Sequence, residues 1–212
     1  MWSGVFKPEQ MRTLLDRLPD DGLRDYVAFG YITGMRKGEL SALRLSFLHG
    51  DAIVVPAGVC KNKKPRRIPV AGPLVAIIKR RKAAQSFESN GVTQLSEFIF
   101  QRGDGLPVSE FRKSWQSECI AAGVGAMFCA TCNNSGAEKR CPTCKRARTY
   151  FGRIFHDLRR TSISDMIDAK VPQSTCMSIS GHKTISVFLR YAISSDESKS
   201  EALEKTAQHR AG

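Results

Sequence analysis

The sequence predicts a mostly α-helical domain with one small antiparallel β-sheet and a short cysteine-rich insertion. Apolar residues recur at helical spacing through much of the chain, as at Met11, Leu14, Leu15 and Leu18 and again at Ile163, Met166 and Ile167. Between residues 45 and 70 that period gives way to short apolar runs divided by turn residues. From 128 to 148 neither period survives, and four cysteines stand in two Cys-x-x-Cys pairs. The chain has 212 residues, 42% of them hydrophobic, which suffices for the core of one ordinary domain carrying a small insertion.

The elements follow in order. Pro8 suits the first turn of a helix, where its missing N–H is not needed, and Glu9 behind it favours the positive helix end. Residues 20–31 predict a second helix and 37–45 a third, with Thr33-Gly34 marking the break between them. Residues 45–49 and 52–56 predict strands joined by a His49-Gly50-Asp51 turn, and 67–70 a third strand. The polar, basic segment 60–65 becomes a loop at one tip of this sheet. A helix is expected over 73–81, burying Leu74, Ile77 and Ile78, then a short extended piece at 98–100 and a helix over 107–122. After the insertion at 128–148, helical patterning resumes near Phe155. Pro172 opens a helix ending near Gly181, and another covers 184–191, leaving 192–212 as a C-terminal tail. The chain contains no internal repeat and no low-complexity linker.

Charge narrows the function. Lys and Arg number 33 against 20 Asp and Glu, giving a formal charge of +13. A folded domain gains nothing from such self-repulsion, so a polyanionic partner is the simplest explanation, and nucleic acid is the commonest one. The charge also comes in blocks. Residues 60–82 hold nine Lys or Arg and no acid, and 129–160 hold eight against Glu138 and Asp157, whereas 196–204 is acid-rich. A uniformly basic, merely solvated surface would not be so divided. No apolar run approaches the roughly 18 residues of a membrane span, and no basic-then-apolar leader opens the chain. A cytoplasmic protein with no membrane partner is expected.

Four short segments carry the candidate chemistry: Thr33-Gly34-Met35-Arg36-Lys37-Gly38-Glu39-Leu40; Lys61-Asn62-Lys63-Lys64-Pro65-Arg66-Arg67-Ile68-Pro69-Val70; His156-Asp157-Leu158-Arg159-Arg160-Thr161; and Gly181-His182 with Tyr191 nine residues on. Two arginines can clamp the non-bridging oxygens of a phosphodiester with forked donors, as lysine cannot. A tyrosine hydroxyl can attack phosphorus, but with a reference pKa near 10 only about one in a thousand is ionised at pH 7, so cations or a base must activate it. Taken singly, each segment has a plain structural explanation: Arg36 can pair with Glu39, and His156 and Arg159 share a helix face.

In this order the segments resemble the tyrosine recombinases, the family of phage integrases and bacterial chromosome-dimer resolvases. The resemblance runs over roughly 6–195, interrupted by the cysteine-rich insert. It implies a tyrosine recombinase-like catalytic domain in which Arg36 and Arg159 hold the scissile phosphate and Glu39 supports them. Lys61 matches the general acid of the sheet loop, although Lys63 and Lys64 share that loop. His156 matches the position that manages the tyrosine's proton, His182 the one that donates to the phosphate, and Tyr191 the nucleophile that forms a covalent 3′-phosphotyrosine link. That link conserves the bond energy, so neither ATP nor a catalytic metal is needed. Lys63, Lys64, Arg66 and Arg160 are expected to contact DNA. Double-stranded DNA is the implied partner, with self-association on it, as a tetramer in the synaptic complex.

The insert departs from the family's usual pattern. Cys129-x-x-Cys132 and, eight residues later, Cys141-x-x-Cys144 suit one tetrahedral Zn²⁺ with no open position, hence a structural knuckle. Disulfides are the alternative, less suited to a cytoplasmic protein. A second departure is that the catalytic pattern begins almost at once, without the N-terminal helical domain that members of the family usually carry. Either the chain is a fragment or the natural protein is minimal, which puts tight site-specific binding by this chain alone in doubt. The expected function is site-specific recombination. A type IB topoisomerase-like nicking-closing enzyme is the rival within the same chemistry, and a non-catalytic, zinc-containing DNA-binding module the rival outside it.

Overall fold

The computed structural model describes residues 4–19, 22–189 and 196–211. α1 (Pro8–Arg17) carries Pro8 in its first turn and buries Met11 and Leu14. α2 (Leu23–Thr33) buries residues on most of its circumference and is accordingly the central helix. α3 (Lys37–Ser41) is a short helix, shorter than the 37–45 expected. Beyond it the backbone is captured by tertiary pairing: Ile99 donates to the Leu43 carbonyl and Leu45 to that of Glu97, both at 2.9 Å. Leu45–Phe47 is a 3-10 turn rather than a strand.

β1 (Leu48–His49), β2 (Ala52–Val55) and β3 (Arg66–Pro69) form the expected antiparallel sheet in the order β1-β2-β3, with Ile53 opposite Leu48 and Ile68. α4 (Pro73–Ala83) follows and is pinned to α2 by buried Asp25, which pairs with Arg80 and Arg81 at 2.6 and 2.8 Å. Next comes a hairpin absent from the sequence-based expectation, β4 (Ser86–Ser89) and β5 (Val92–Leu95). Its Asn90-Gly91 turn takes left-handed φ values of 52° and 74°, as a tight hairpin requires. The strands are mostly polar and largely exposed, so no apolar alternation announces them.

α5 (Arg112–Ala121) starts five residues later than expected, because Pro107 pairs with Gln101 as a β-bridge. The insert carries one strand and is flanked by two: β6 (Gly125–Phe128), β7 (Ser135–Gly136) and β8 (Thr149–Gly152) pair in the order β7-β6-β8. The described residues thus hold three small antiparallel sheets, not one. α6 (His156–Asp168), α7 (Gln173–Ser180), the short α8 (Ile185–Phe188) and α9 (Asp196–Ala211) complete the chain, the last within the segment expected as a tail.

α2 packs against α1, α4 and α6. Tyr26 sits at the core's centre, its ring 5.4 to 5.5 Å from those of Phe100, Phe111 and Phe155. Its hydroxyl donates to the Lys37 carbonyl at 3.1 Å, fixing the start of α3 on the core. Trp115 donates to the Arg153 carbonyl at 2.8 Å, and the Phe6 amide donates to Thr161 of α6 at 2.9 Å. The ends of α2, α6 and α7 and the β2–β3 loop meet on one side of this core.

Candidate active site

Gly34 closes α2 with φ 61°, a left-handed cap that suits glycine, and a Cβ there would press on Ser162 at 3.2 to 3.3 Å. The chain turns at this cap, so Arg36 stands at the entrance of α3. Arg36 donates to Glu39 Oε1 at 3.0 Å, and its Nη1 lies 3.5 Å from the Gly181 carbonyl. Glu39 is buried and serves three partners. Its second oxygen accepts from Arg66 of β3 at 2.8 Å, and Oε1 also accepts the Lys61 backbone N–H at 3.1 Å. Burial alone would raise the Glu39 pKa; the Arg66 charge, the Lys61 N–H and Arg36 together outweigh it and hold the carboxyl below its ordinary range. One carboxylate therefore positions the first arginine and the lysine loop.

α6 supplies the next pair. His156 opens the helix, exposed at the surface, and Arg159 lies one turn on. Partial desolvation first, then the charges of Arg159 and Arg160, lower the His156 pKa. Arg159 is 2% exposed. Its Nη1 donates to the Gly34 carbonyl at 2.6 Å and to the Ser180 carbonyl. Nη2 lies against the ring of His182, 2.8 Å from Nε2 and 3.1 Å from Nδ1.

α7 ends at Gly181 in the left-handed region (φ 71°), and that cap delivers His182. Ser180 Oγ gives its one proton to the Cys176 carbonyl (2.6 Å), so it must accept from His182 Nδ1–H (2.8 Å). Nε2 then carries the lone pair and accepts from Arg159. Burial, followed by the charges of Arg159, Arg36, His156 and Arg66, pushes the His182 pKa down to about 4. Phe188 packs edge-on against the ring at 5.9 Å.

The structure thus brings Arg36, Glu39, Arg159, His182, His156 and the Lys61 loop together. Lys61, Lys63 and Lys64 are exposed on that loop. Of the basic residues expected to face DNA, Arg66 is turned inward and Arg160 is exposed with an ion-pair partner. Arg66 is buried against Glu39, because a carboxylate in the interior needs a full counter-charge. Arg160 pairs with Asp157 at 3.2 Å. Tyr191 lies outside the described residues. Sequence reasoning missed Ser180, which sets the tautomer of His182; its only signal was a hydroxyl immediately before the Gly-His pair.

A family model for the phage integrase family matches residues 5–198. The chain belongs to the phage integrase family. No curated protein matches it by sequence. Among solved structures, this integrase-family chain resembles the Tn1549 transposon integrase in complex with circular intermediate DNA, at 17% identity and a TM-score of 0.63, over 94% of this chain and 64% of that one. It also resembles a lambda integrase tetramer bound to a Holliday junction (15%, TM-score 0.64, 88% and 47%). The catalytic domain of bacteriophage HP1 integrase is a third (19%, TM-score 0.54, 89% and 86%). At these identities the likeness is one of fold. The chain spans less than two thirds of the first two proteins' length.

The integrase-family fold is joined here by the cysteine cluster. All four Sγ atoms lie within 4.8 Å of one another, with Cys129–Cys144 at 3.4 Å and Cys132–Cys141 at 3.3 Å. The two pairs sit in matching turns. Cys129 N–H donates to the Asn134 carbonyl and Cys141 N–H to that of Arg146, both at 2.9 Å, and Asn133 and Lys145 take φ values of 55° and 58°. Backbone N–H groups of Cys132 and Thr131 point at Cys129 Sγ and lower its pKa; those of Cys144 and Thr143 do the same for Cys141, bringing it to about 6. Such turns stabilise thiolates, the form a metal takes.

Proposed function

We propose that this domain cuts and rejoins DNA at a specific site through a covalent 3′-phosphotyrosine link made by Tyr191. The observation that carries this proposal is the convergence of Arg36, Arg159 and His182 around one point, held by buried partners that have no other evident use. Phe188 lies against His182, and the three residues from there to Tyr191 can span at most about 11 Å, a length compatible with attack at the clamp. In the reaction the tyrosine oxygen bonds to phosphorus and the bond to the 5′-oxygen breaks. Lys61 gives that oxygen its proton, and His156 takes the tyrosine's. A phosphate arriving between the arginines would displace Arg159 from Nε2 of His182. Its negative charge would offset the guanidinium charges, raising the histidine's pKa so that Nε2 gains a proton to donate.

Four thiolates in two matching turns suit one structural Zn²⁺ at Cys129, Cys132, Cys141 and Cys144, with the chemistry done by side chains outside the cluster. The partner is double-stranded DNA. Assembly on it as a tetramer is supported by the lambda integrase likeness, and residence with bacterial or phage DNA in the cytoplasm follows. Among the described residues no helix is long and apolar enough to cross a membrane.

The test is incubation with a nicked suicide substrate carrying the natural site. Covalent protein–DNA product is expected from the native chain and none from Tyr191→Phe, with DNA binding unchanged. Covalent product from the Phe variant would overturn the assignment.

A further inference from the structure

The segment 128–148, which holds the four cysteines, forms a ribbon-like projection that the chemistry of the catalytic site does not use. Its surface carries Lys139, Arg140, Lys145 and Arg146, all exposed and without an ion-pair partner among the described residues. The one acid between Cys129 and Arg148 is Glu138. Arg148 is the exception among the ribbon's cations. It is turned inward, bonded to Asn134 Oδ1 and the Glu138 carbonyl. Lys145 sits at a left-handed φ of 58°, where glycine would be the comfortable residue.

These charges continue the catalytic site. Beside His156 lies a cleft of about 500 Å³, bordered by Lys37, Arg112 and Gln116. Gln116 also borders a second groove, of about 850 Å³, between α5 and the ribbon. That groove is lined by Lys113 and Lys139 together with Ile120, Met127, Ala137 and Ala147, and its one acid, Glu118, is paired with Arg17 at 3.2 Å. Arg112 and Lys113 of α5 thus lie between the catalytic cleft and Lys139 of the ribbon. We propose that the ribbon is a second contact for the DNA sugar–phosphate backbone, gripping the strand as it leaves the catalytic centre. A protein partner would be met by an apolar or mixed surface, whereas the exposed face of the ribbon sets four cations against one acid, Glu138.

The inference rests on DNA being the substrate, but its test needs no cleavage. The native, metal-containing protein and a variant combining Lys139→Gln, Arg140→Gln, Lys145→Gln and Arg146→Gln are titrated with a fluorescent duplex of arbitrary sequence across a range of salt. Each lost phosphate contact lowers the slope of log K against log salt by about 0.9, so a drop of roughly 2 or more is expected, with affinity at least about tenfold weaker. Lys145→Gly guards against a folding artefact. It removes one charge while relieving the left-handed turn, so metal and thermal stability should hold while the slope falls by about 0.9. Unchanged slopes in both variants, with metal retained, would overturn the proposal. So would a defect confined to assembly of several copies on DNA at unchanged slope, since that would make the ribbon a protein contact. A native chain that binds DNA with the expected slopes yet forms no covalent product would instead sink the recombinase assignment and leave this one standing.

Discussion

At the scale of single residues the site is built by one buried carboxylate and one buried guanidinium. Glu39 gathers Arg36, Arg66 and the Lys61 amide, while Arg159 gathers Gly34, Ser180 and His182. Arg36 makes its described bonds with part of its fork, so Arg36→Ala removes a charge donor without emptying the core. Loss of about 100- to 1,000-fold in suicide-substrate cleavage rate is expected, and a fall below about tenfold would remove it from the phosphate. His182 makes a separate prediction for the DNA-free protein. Its folded pKa of about 4 lies below the ordinary value near 6.5, so the unfolded chain takes up the proton first. The stability this represents is present above about pH 6.5 and lost as the pH falls through about 4, up to roughly 3 kcal/mol. His182→Gln keeps hydrogen-bonding capacity but cannot titrate. Urea denaturation at pH 7 and pH 4.5 should show a smaller acid loss in the variant than in the native chain; equal losses would mean His182 is not held neutral.

At the scale of elements, the caps of α2 and α7 aim the chemistry. Gly181 takes φ 71°, and a Cβ there would overlap the Arg66 guanidinium, the partner of Glu39. Gly181→Ala should therefore cost at least about 1 to 2 kcal/mol and reduce cleavage further by dislodging Arg66. Gly38→Ala, inside α3 with open space around it, is the comparison and should be neutral or stabilising by up to about 1 kcal/mol. A Gly181→Ala protein as stable and active as the native chain would mean that the cap does not position the site. These caps were legible in the sequence as Thr-Gly and Gly-His breaks, because glycine at a helix end has few other uses. The helices and the first sheet were legible for the same reason, their apolar periods being strong. The β4–β5 hairpin was not, since Phe87, Val92 and Leu95 are too few and too scattered between its faces to make an apolar alternation, and only Asn90-Gly91 signals it. Nor was the inward turn of Arg66. Local sequence marks it as one more cation in a basic loop, and only the tertiary approach of Glu39 shows where its charge is consumed.

At the scale of the molecule, a helical core and a cysteine ribbon of different origin of order share one chain. The core is held by apolar burial around Tyr26, Phe100, Phe111, Trp115 and Phe155. The segment from Thr131 to Arg140 is almost wholly exposed and buries no such cluster, so hydrophobic burial cannot order it. Bringing four thiols within 4.8 Å without a cation leaves them sharing protons. Hydrogen bonding to Cys141 is the first cause that raises Cys132 to about 12, while Cys141 falls to about 6. A divalent ion replaces those protons and binds all four sulfurs at once, so its binding energy becomes folding energy for the ribbon. Protein purified without added metal should accordingly carry one Zn²⁺ per chain. Cys132→Ser should lose most of it and expose 129–148 to protease, while the helical core keeps its thermal transition. Cleavage should weaken only as far as the loosened ribbon disturbs β8 and, through it, His156 and Arg159. No bound metal in the native protein, together with four freely titrating thiols at these positions, would sink the metal site.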